Sequence, residues 1–298
     1  MRILVTGANG FLGNYLIPEL LKRKYEVIAT GKGKCRIKVT DTFVYEEMDF
    51  TNVQSVNNVF DRCKPQVVVH AGAMSKTDEC EDNRELAFNV NTQGTINLLM
   101  AAKSMSSFFI FISTDFVFDG LKGMYNEDDV PGPVNYYGQT KLLAEEKVKE
   151  YAGAWCILRT VLVYGRPQQG RDNLLTLVKK KNENGELYKV FTDQLRTPTY
   201  VEDLAKAIIS VMENKATGIF HISGIDQLSP FQMVIKMADL LSLNKELIIP
   251  ITKDDLKEKA IRPPYTGFDI SKAKSFLNYS PVSFDEGLKK TFEIKNEN

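Results

Sequence analysis

Residues 2–13 read Arg2-Ile3-Leu4-Val5-Thr6-Gly7-Ala8-Asn9-Gly10-Phe11-Leu12-Gly13. The apolar run Arg2 to Thr6, ending at a glycine, predicts a short buried strand. Leu12, Leu16, Leu20 and Leu21 at helical spacing predict a helix over 11–24. Between them, Gly7, Gly10 and Gly13 are spaced G-x-x-G-x-x-G. Glycine permits the tight turn and lets the backbone approach a pyrophosphate, while the helix N-terminus offers free N–H groups and a positive dipole end. A glycine string alone is weak evidence. Placed between an N-terminal strand and a helix, it predicts a dinucleotide-phosphate turn built from Gly7, Asn9, Gly10, Phe11, Leu12 and Gly13. Pro18 breaks the helical rule and predicts a kink, because an interior proline loses a hydrogen bond and crowds the preceding turn.

Outward from this turn the chain alternates strand and helix. Strands are predicted at 26–30, 43–47, 66–70, 108–113 and 155–160, and helices around 52–63, 85–104 and 135–151. Strands separated by helices imply right-handed crossovers and a parallel sheet. The expected fold is α/β, a Rossmann-type doubly wound parallel sheet with a smaller C-terminal substrate-binding lobe. The dinucleotide unit is placed at 1–165, with return segments near 198–222. The lobe is placed mainly at 166–197 and 223–298, and Lys295 to Asn298 read as a frayed end.

Composition narrows the function. The 298 residues carry 38 basic and 38 acidic side chains, so no polyanion partner is expected, and Lys179-Lys180-Lys181 reads as a solvated helix end rather than a nucleic-acid patch. Four cysteines without knuckle or redox spacing and two histidines give no metal site. The chain opens directly on a strand, and its apolar runs are too short to span a bilayer. The expectation is a cytosolic (cytoplasmic) protein with no membrane partner.

The second strand ends Thr30-Gly31-Lys32-Gly33-Lys34. An acid there would bind the adenosine ribose and favour NAD. None is present, and Lys32 and Lys34 lean toward NADP; the other reading is an ordinary exposed loop. Asp49 and Phe50 either frame the adenine, or Asp49 caps the next helix.

Tyr137-Gly138-Gln139-Thr140-Lys141 places a phenol and an ammonium one helical turn apart. Tyr137 is the only one of the 12 tyrosines with a lysine at that spacing. A neighbouring ammonium favours the phenolate and so lowers the tyrosine pKa, which suits proton exchange. The fifth strand ends Ser113-Thr114-Asp115, where a hydroxyl faces the same crevice. The catalytic candidates are therefore Thr114, Tyr137 and Lys141. Asn91 either supports the lysine through a water or bonds a neighbouring backbone.

Taken with His70-Ala71-Gly72-Ala73, Asn91 and Arg159, these residues resemble the extended short-chain dehydrogenase/reductase family. Within it, the chain is most similar to the dTDP-4-dehydrorhamnose reductases, through Thr77 to Glu81, Ser113 to Gly120, Tyr136 to Lys141, Asp193 to Thr199 and Arg262-Pro263-Pro264. The resemblance implies reduction of the 4-keto group of a deoxy-sugar nucleotide. Tyr137 would be proton donor, with NADP(H) preferred and NAD(H) usable. It also implies that Ala71, Gly72, Ala73 and Asn91 line the cofactor and that Ser75, Asp115, Phe116 and Leu162 line the substrate. Arg196 and Arg262 are candidates for the substrate diphosphate, or else form surface ion pairs. The reductases usually carry tyrosine at Phe116 and tryptophan at Leu162, so the departures fall on the substrate side. Asp115 is followed by Phe116 rather than a second acid, which argues against dehydration. Two other readings follow from resemblance: a sugar-nucleotide epimerase with tightly held NAD, and a non-catalytic subunit like the regulatory subunits of methionine adenosyltransferase. Homodimers are common in the family.

Overall fold

A computed structural model describes residues 1–39, 42–168, 172–256 and 259–294. The expectation for Lys295 to Asn298 lies outside the described residues.

Seven strands form one parallel sheet: β1 (Arg2–Thr6), β2 (Glu26–Gly31), β3 (Val44–Glu47), β4 (Val67–His70), β5 (Phe108–Thr114), β6 (Trp155–Thr160) and β10 (Gly218–Ile222). Their order is β10-β6-β5-β4-β1-β2-β3. The inner strands are nearly continuous Val, Ile, Leu and Phe, as a sheet covered on both faces requires. Four short strands lie outside the sheet and pair among themselves: β7 (Val163–Tyr164) with β9 (Thr199–Tyr200), and β8 (Tyr188–Phe191) with β11 (Ile248–Ile251). The chain order reverses between β1 and β4. The register pairs Thr6 with His70, His70 with Phe111 and Thr114 with Thr160, so the carboxyl ends of four strands converge on one crevice.

The helices are α1 (Gly13–Lys22), α2 (Val53–Cys63), α3 (Thr77–Asp82), α4 (Arg84–Phe88), α5 (Gly94–Met105), α6 (Tyr136–Lys149), α7 (Leu174–Glu183), α8 (Val201–Asn214), α9 (Pro230–Leu241), α10 (Ser271–Leu277) and α11 (Phe284–Thr291). Helix α1 runs through Pro18 without a break. The single helix expected over 85–104 is instead α4 and α5 joined by a π turn at Asn89–Gln93. Asn91 lies in this turn, and such π turns recur at functional sites.

One apolar cluster packs α1 and α8 against one sheet face, and a second packs α2, α5 and α6 against the other. A third gathers α7, α9 and α11 with β8 and β11. Among the described residues no helix is long and apolar enough to cross a membrane.

Candidate functional site

The glycine turn is shaped by close approach. Gly7 has φ +66°, and a Cβ there would lie 2.9 Å from Gly72 Cα, so the β1 and β4 loops touch. At Gly13 a Cβ would lie 2.2 Å from the Ala8 carbonyl oxygen, which is how α1 can start directly over the turn. No side chain caps α1 and its first turn holds no acid, so its positive end is left for an anion. These features fit the diphosphate of a dinucleotide, with Gly10, Phe11, Leu12 and Gly13 as the residues that would hold it.

Asn9 braces the adenosine side. Its Nδ2 donates to the Lys34 carbonyl (3.1 Å) and to the Tyr45 hydroxyl (2.9 Å), and its Oδ1 accepts from Arg36 N–H (2.8 Å). The loop therefore presents Lys32, Lys34 and Arg36, all exposed, on alternate positions. Arg36 was not foreseen, although the alternation of cations was visible. Lys32 Nζ lies 2.8 Å from Asp49 Oδ2. Asp49 is not the cap of α2: Asn52 is, accepting from Ser55 N–H. Instead Asp49 accepts from Thr51 and faces Lys32. Phe50 fills the gap between two glycines, since a Cβ would come within 2.6 Å of its ring at Gly72 and 2.5 Å at Gly94. Ala71 is part-buried, while Ala73 and Ser75 are exposed at the rim.

His70 ties this region together. Thr95 Oγ1 donates its only proton to the Asn91 carbonyl (2.7 Å), so it accepts from His70 Nε2 (3.1 Å). His70 Nδ1 then accepts from Thr6 Oγ1 (2.7 Å), which in turn accepts from Gly72 N–H (3.2 Å). The ring is neutral, and burial, followed by the Lys141 charge, holds its pKa well below the usual histidine range. The Asn91 amide clamps the Met74 backbone through both N–H (2.8 Å) and carbonyl (3.0 Å), and donates to Thr140 on α6 (3.0 Å). The observed bonds of Asn91 are thus to backbone and to Thr140.

Thr114, Tyr137 and Lys141 come together at the end of β5. Asn135 caps α6 by accepting from Gly138 N–H (2.9 Å). A Cβ at Gly138 would lie 2.0 Å from the Phe116 carbonyl oxygen, so glycine is what lets α6 approach the end of β5. Thr114 lies beside the Tyr137 phenol and opposes the rise in its pKa. Its Oγ1 donates to Asp115 Oδ1 (3.1 Å) and accepts from Phe116 N–H (3.2 Å). Lys141 is 2% exposed; its Nζ donates to the Ile112 carbonyl (2.8 Å) and lies 3.8 Å from the Phe111 ring centre. Burial brings its pKa down to about 7, opposed by Glu145. The expected lowering of the Tyr137 pKa is corrected: burial raises it, Thr114 opposes this, and Asp115 and Cys80 raise it further. The reason is first the burial of the phenol itself; Lys141 Nζ is engaged with the Ile112 carbonyl and the Phe111 ring, and Asp115 is bonded to the adjoining Thr114.

Behind Lys141 lies a charged pair that was not foreseen as a unit. Glu145 and Arg159 are 0% and 1% exposed and bonded at 2.9 and 2.7 Å, and Arg159 Nη1 donates to His221 Nε2 (3.3 Å). Tyr137, Lys141 and Glu145 recur every four residues, so helical spacing alone would have put Glu145 on the catalytic face.

The candidate substrate residues sit differently. Phe116 meets Tyr137 edge-on, ring centres 6.1 Å apart. Leu162, part-buried, has φ +31°, a conformation that costs a leucine on the order of 1 kcal/mol and is held by the Thr199 N–H to Leu162 carbonyl contact (3.3 Å). Asp115 is 3% exposed and Arg196 2%. The Arg196 guanidinium donates to the carbonyls of Leu195 (2.8 Å), Pro264 (3.0 Å) and Pro263 (2.7 Å), so it knits loops beneath the crevice. Arg262 donates to Asp78 Oδ2 (3.0 Å), which fastens the 259–264 segment to α3.

Fold and site together define a protein of the extended short-chain dehydrogenase/reductase class. The chain belongs to the RmlD substrate binding domain family, whose model matches residues 1–296. It is 29% identical over 296 residues to methionine adenosyltransferase 2 subunit beta of Mus musculus, covering 97% of this chain and 86% of that protein. The solved dTDP-4-dehydrorhamnose reductase from Bacillus anthracis, in complex with NADP, superposes with a TM-score of 0.86 at 29% identity, over 99% of both chains. The UDP-glucuronic acid 4-epimerase from Bacillus cereus, in complex with UDP-glucuronic acid and NAD, gives a TM-score of 0.86 at 27% identity over 98% of both.

Proposed function

We propose that this protein is an NAD(P)H-dependent reductase of the 4-keto group of a deoxy-sugar nucleotide. The observation that carries the reading is the meeting of Thr114, Tyr137 and Lys141 at the carboxyl end of β5, facing an uncapped α1 across the glycine turn. When bound, a reduced nicotinamide supplies the hydride. Tyr137 gives its proton to the oxygen that becomes the alcohol. The phenol, pushed above its ordinary range chiefly by burial, is protonated at neutral pH, as a donor must be. Thr114, rotated from Asp115, donates to the same oxygen. Lys141, beside the phenol's helix turn, orients Tyr137 and the cofactor ribose. Asp49, Phe50, Ala71, Gly72, Ala73 and Asn91 frame the cofactor, and Ser75, Phe116 and Leu162 border the sugar. Lys32, Lys34 and Arg36 favour a 2′-phosphate and hence NADPH. The reading places the dinucleotide on residues 1–165 with the 198–222 return and the substrate on the remainder, in a cytosolic protein, possible as a homodimer.

The likeness to methionine adenosyltransferase 2 subunit beta favours a second reading, a dinucleotide-binding partner subunit. The complete Thr114, Tyr137 and Lys141 set supports the enzyme reading over it. A panel of keto-sugar nucleotides, with NADPH consumption followed for each, tests the choice. Turnover of a 4-keto-6-deoxy sugar nucleotide supports the proposal; no turnover of any, together with capture of a methionine adenosyltransferase catalytic subunit, supports the alternative.

A further inference from the structure

The segment 259–266 touches both flanks of the candidate catalytic set. At one end Ala260 N–H donates to Asp78 Oδ1 (3.0 Å), and the Ile261 carbonyl accepts from Asn135 Nδ2 (2.8 Å), two residues before Tyr137. At the other end the Thr266 hydroxyl donates to Asp115 Oδ2, next to Thr114, and Thr266 N–H donates to the Leu195 carbonyl (3.1 Å). Between them Tyr265 N–H donates to the Gly120 carbonyl (3.2 Å), and the carbonyls of Pro263 and Pro264 accept from Arg196. Two adjacent prolines fix φ and offer no N–H, so this stretch joins no ladder and depends on whatever grips its carbonyls. It is a strap laid from the cap of α6 to the end of β5.

Asn135, 2% exposed, works in two directions. Its Oδ1 accepts from Gly138 N–H (2.9 Å) and caps α6, while its Nδ2 grips the strap. Aspartate and serine cap a helix about as well, but neither adds an amide donor pointing away from the helix. The same junction is braced from α3. Tyr136 N–H donates to Glu81 Oε1 (2.8 Å), and Asp78, one turn earlier on α3, holds Ala260 and Arg262. Asp78 and Glu81 are three residues apart and so share one face of the helix. We propose that Asn135 is a positioning residue that fastens the 259–266 strap to the first turn of the catalytic helix, so that the substrate side of the crevice is ordered before the sugar nucleotide arrives. The junction stands on these contacts alone; its consequence for substrate affinity rests on the reductase reading. A strap already ordered spares the substrate the cost of ordering it, which appears in KM.

The test is Asn135→Asp, which keeps the shape and the cap acceptor but turns the donor facing Ile261 into a second acceptor. At about pH 8, above the ordinary carboxyl range, amide hydrogen exchange of the full chain is compared with that of the wild type. Exchange at Ala260, Tyr265 and Thr266 should quicken by about five-fold or more, the value of one hydrogen bond, while residues 136–140 keep their protection. With a 4-keto-6-deoxy sugar nucleotide, KM should rise by about the same factor, with kcat and dinucleotide affinity little changed. A residue that only caps α6 would do the reverse, exposing 136–140 and lowering kcat with the strap untouched, and that result overturns the proposal. Unchanged strap exchange overturns it whether or not any keto sugar is turned over, and a loosened strap with an unmoved KM overturns its role toward substrate. If the wild type reduces no keto sugar, the reductase reading fails by itself, and quickened strap exchange still supports the junction. Should Asn135→Asp fail to fold, Asn135→Ser caps through a hydroxyl that ends one bond short of the strap and carries the same expectations.

Discussion

Lys141→Met separates what the buried lysine does for the fold from what it does for the site. Lys141 is 2% exposed, and burial brings its ammonium from 10.5 to about 7. One pH unit is about 1.36 kcal/mol, so placing this side chain in the dinucleotide-free fold costs on the order of 5 kcal/mol at pH 7, compared with a pH at which the amine is neutral in both states. The sign follows from proton counting. Between about pH 7 and 10.5 the unfolded chain holds this proton and the folded chain does not, so stability rises with pH across that window and is lost as pH falls through about 7. Methionine keeps the length and apolar stem. It forfeits the bond to the Ile112 carbonyl and the contact with the Phe111 ring, each worth about 1 kcal/mol. The net expectation is a variant more stable than wild type by about 1–3 kcal/mol at pH 7, with the gap closing by about pH 9.5. Urea unfolding of both proteins without dinucleotide, at both pH values and with equal m-values, measures it. A variant less stable at pH 7, or a gap that does not depend on pH, would refute the reasoning.

Three further outcomes follow from the site. Alanine at Lys32 and Lys34 should weaken NADPH far more than NADH, read as the ratio of dissociation constants; equal weakening would show that the loop does not read a 2′-phosphate. Gly138→Ala drives a methyl to 2.0 Å from the Phe116 carbonyl oxygen, so α6 must move; we expect a loss of about 1–3 kcal/mol in unfolding free energy together with a fall in kcat. Phe116→Tyr with Leu162→Trp should raise kcat/KM for dTDP-4-keto-rhamnose relative to its analogues, because these changes supply a hydroxyl and a flat wall where the proposed reading puts the sugar; an unmodified protein that already reduces that precursor efficiently and rejects its analogues would remove the basis for this.

The sheet was legible because its signal is local. Apolar runs such as Phe108–Thr114 and Trp155–Thr160 are strands by residue type and length, and the glycine turn after β1 fixes the ligand side of the sheet. Tyr137 and Lys141 were legible because helical spacing joins them. What was not legible depends on distant partners. Gly218–Ile222 becomes the edge strand only by pairing with Trp155–Thr160, 62 positions away at the His221–Arg159 pair. The π turn that carries Asn91 has no pattern in Asn89–Gln93 that spacing could reveal. Asp115 reads as a substrate contact until Thr266 and Arg196 arrive from other loops to bury it. Arg196 likewise suits a diphosphate by chemistry, and only packing shows its guanidinium engaged with carbonyls.

The central claim is that Tyr137 donates the proton in a reduction carried out at this site. The most direct measurement compares wild type and Tyr137→Phe for NADPH-dependent reduction of a 4-keto-6-deoxy sugar nucleotide, with dinucleotide affinity determined separately. The account predicts a fall in kcat of about 10²–10⁴-fold with dinucleotide binding retained; turnover by Tyr137→Phe close to that of the wild type would contradict it.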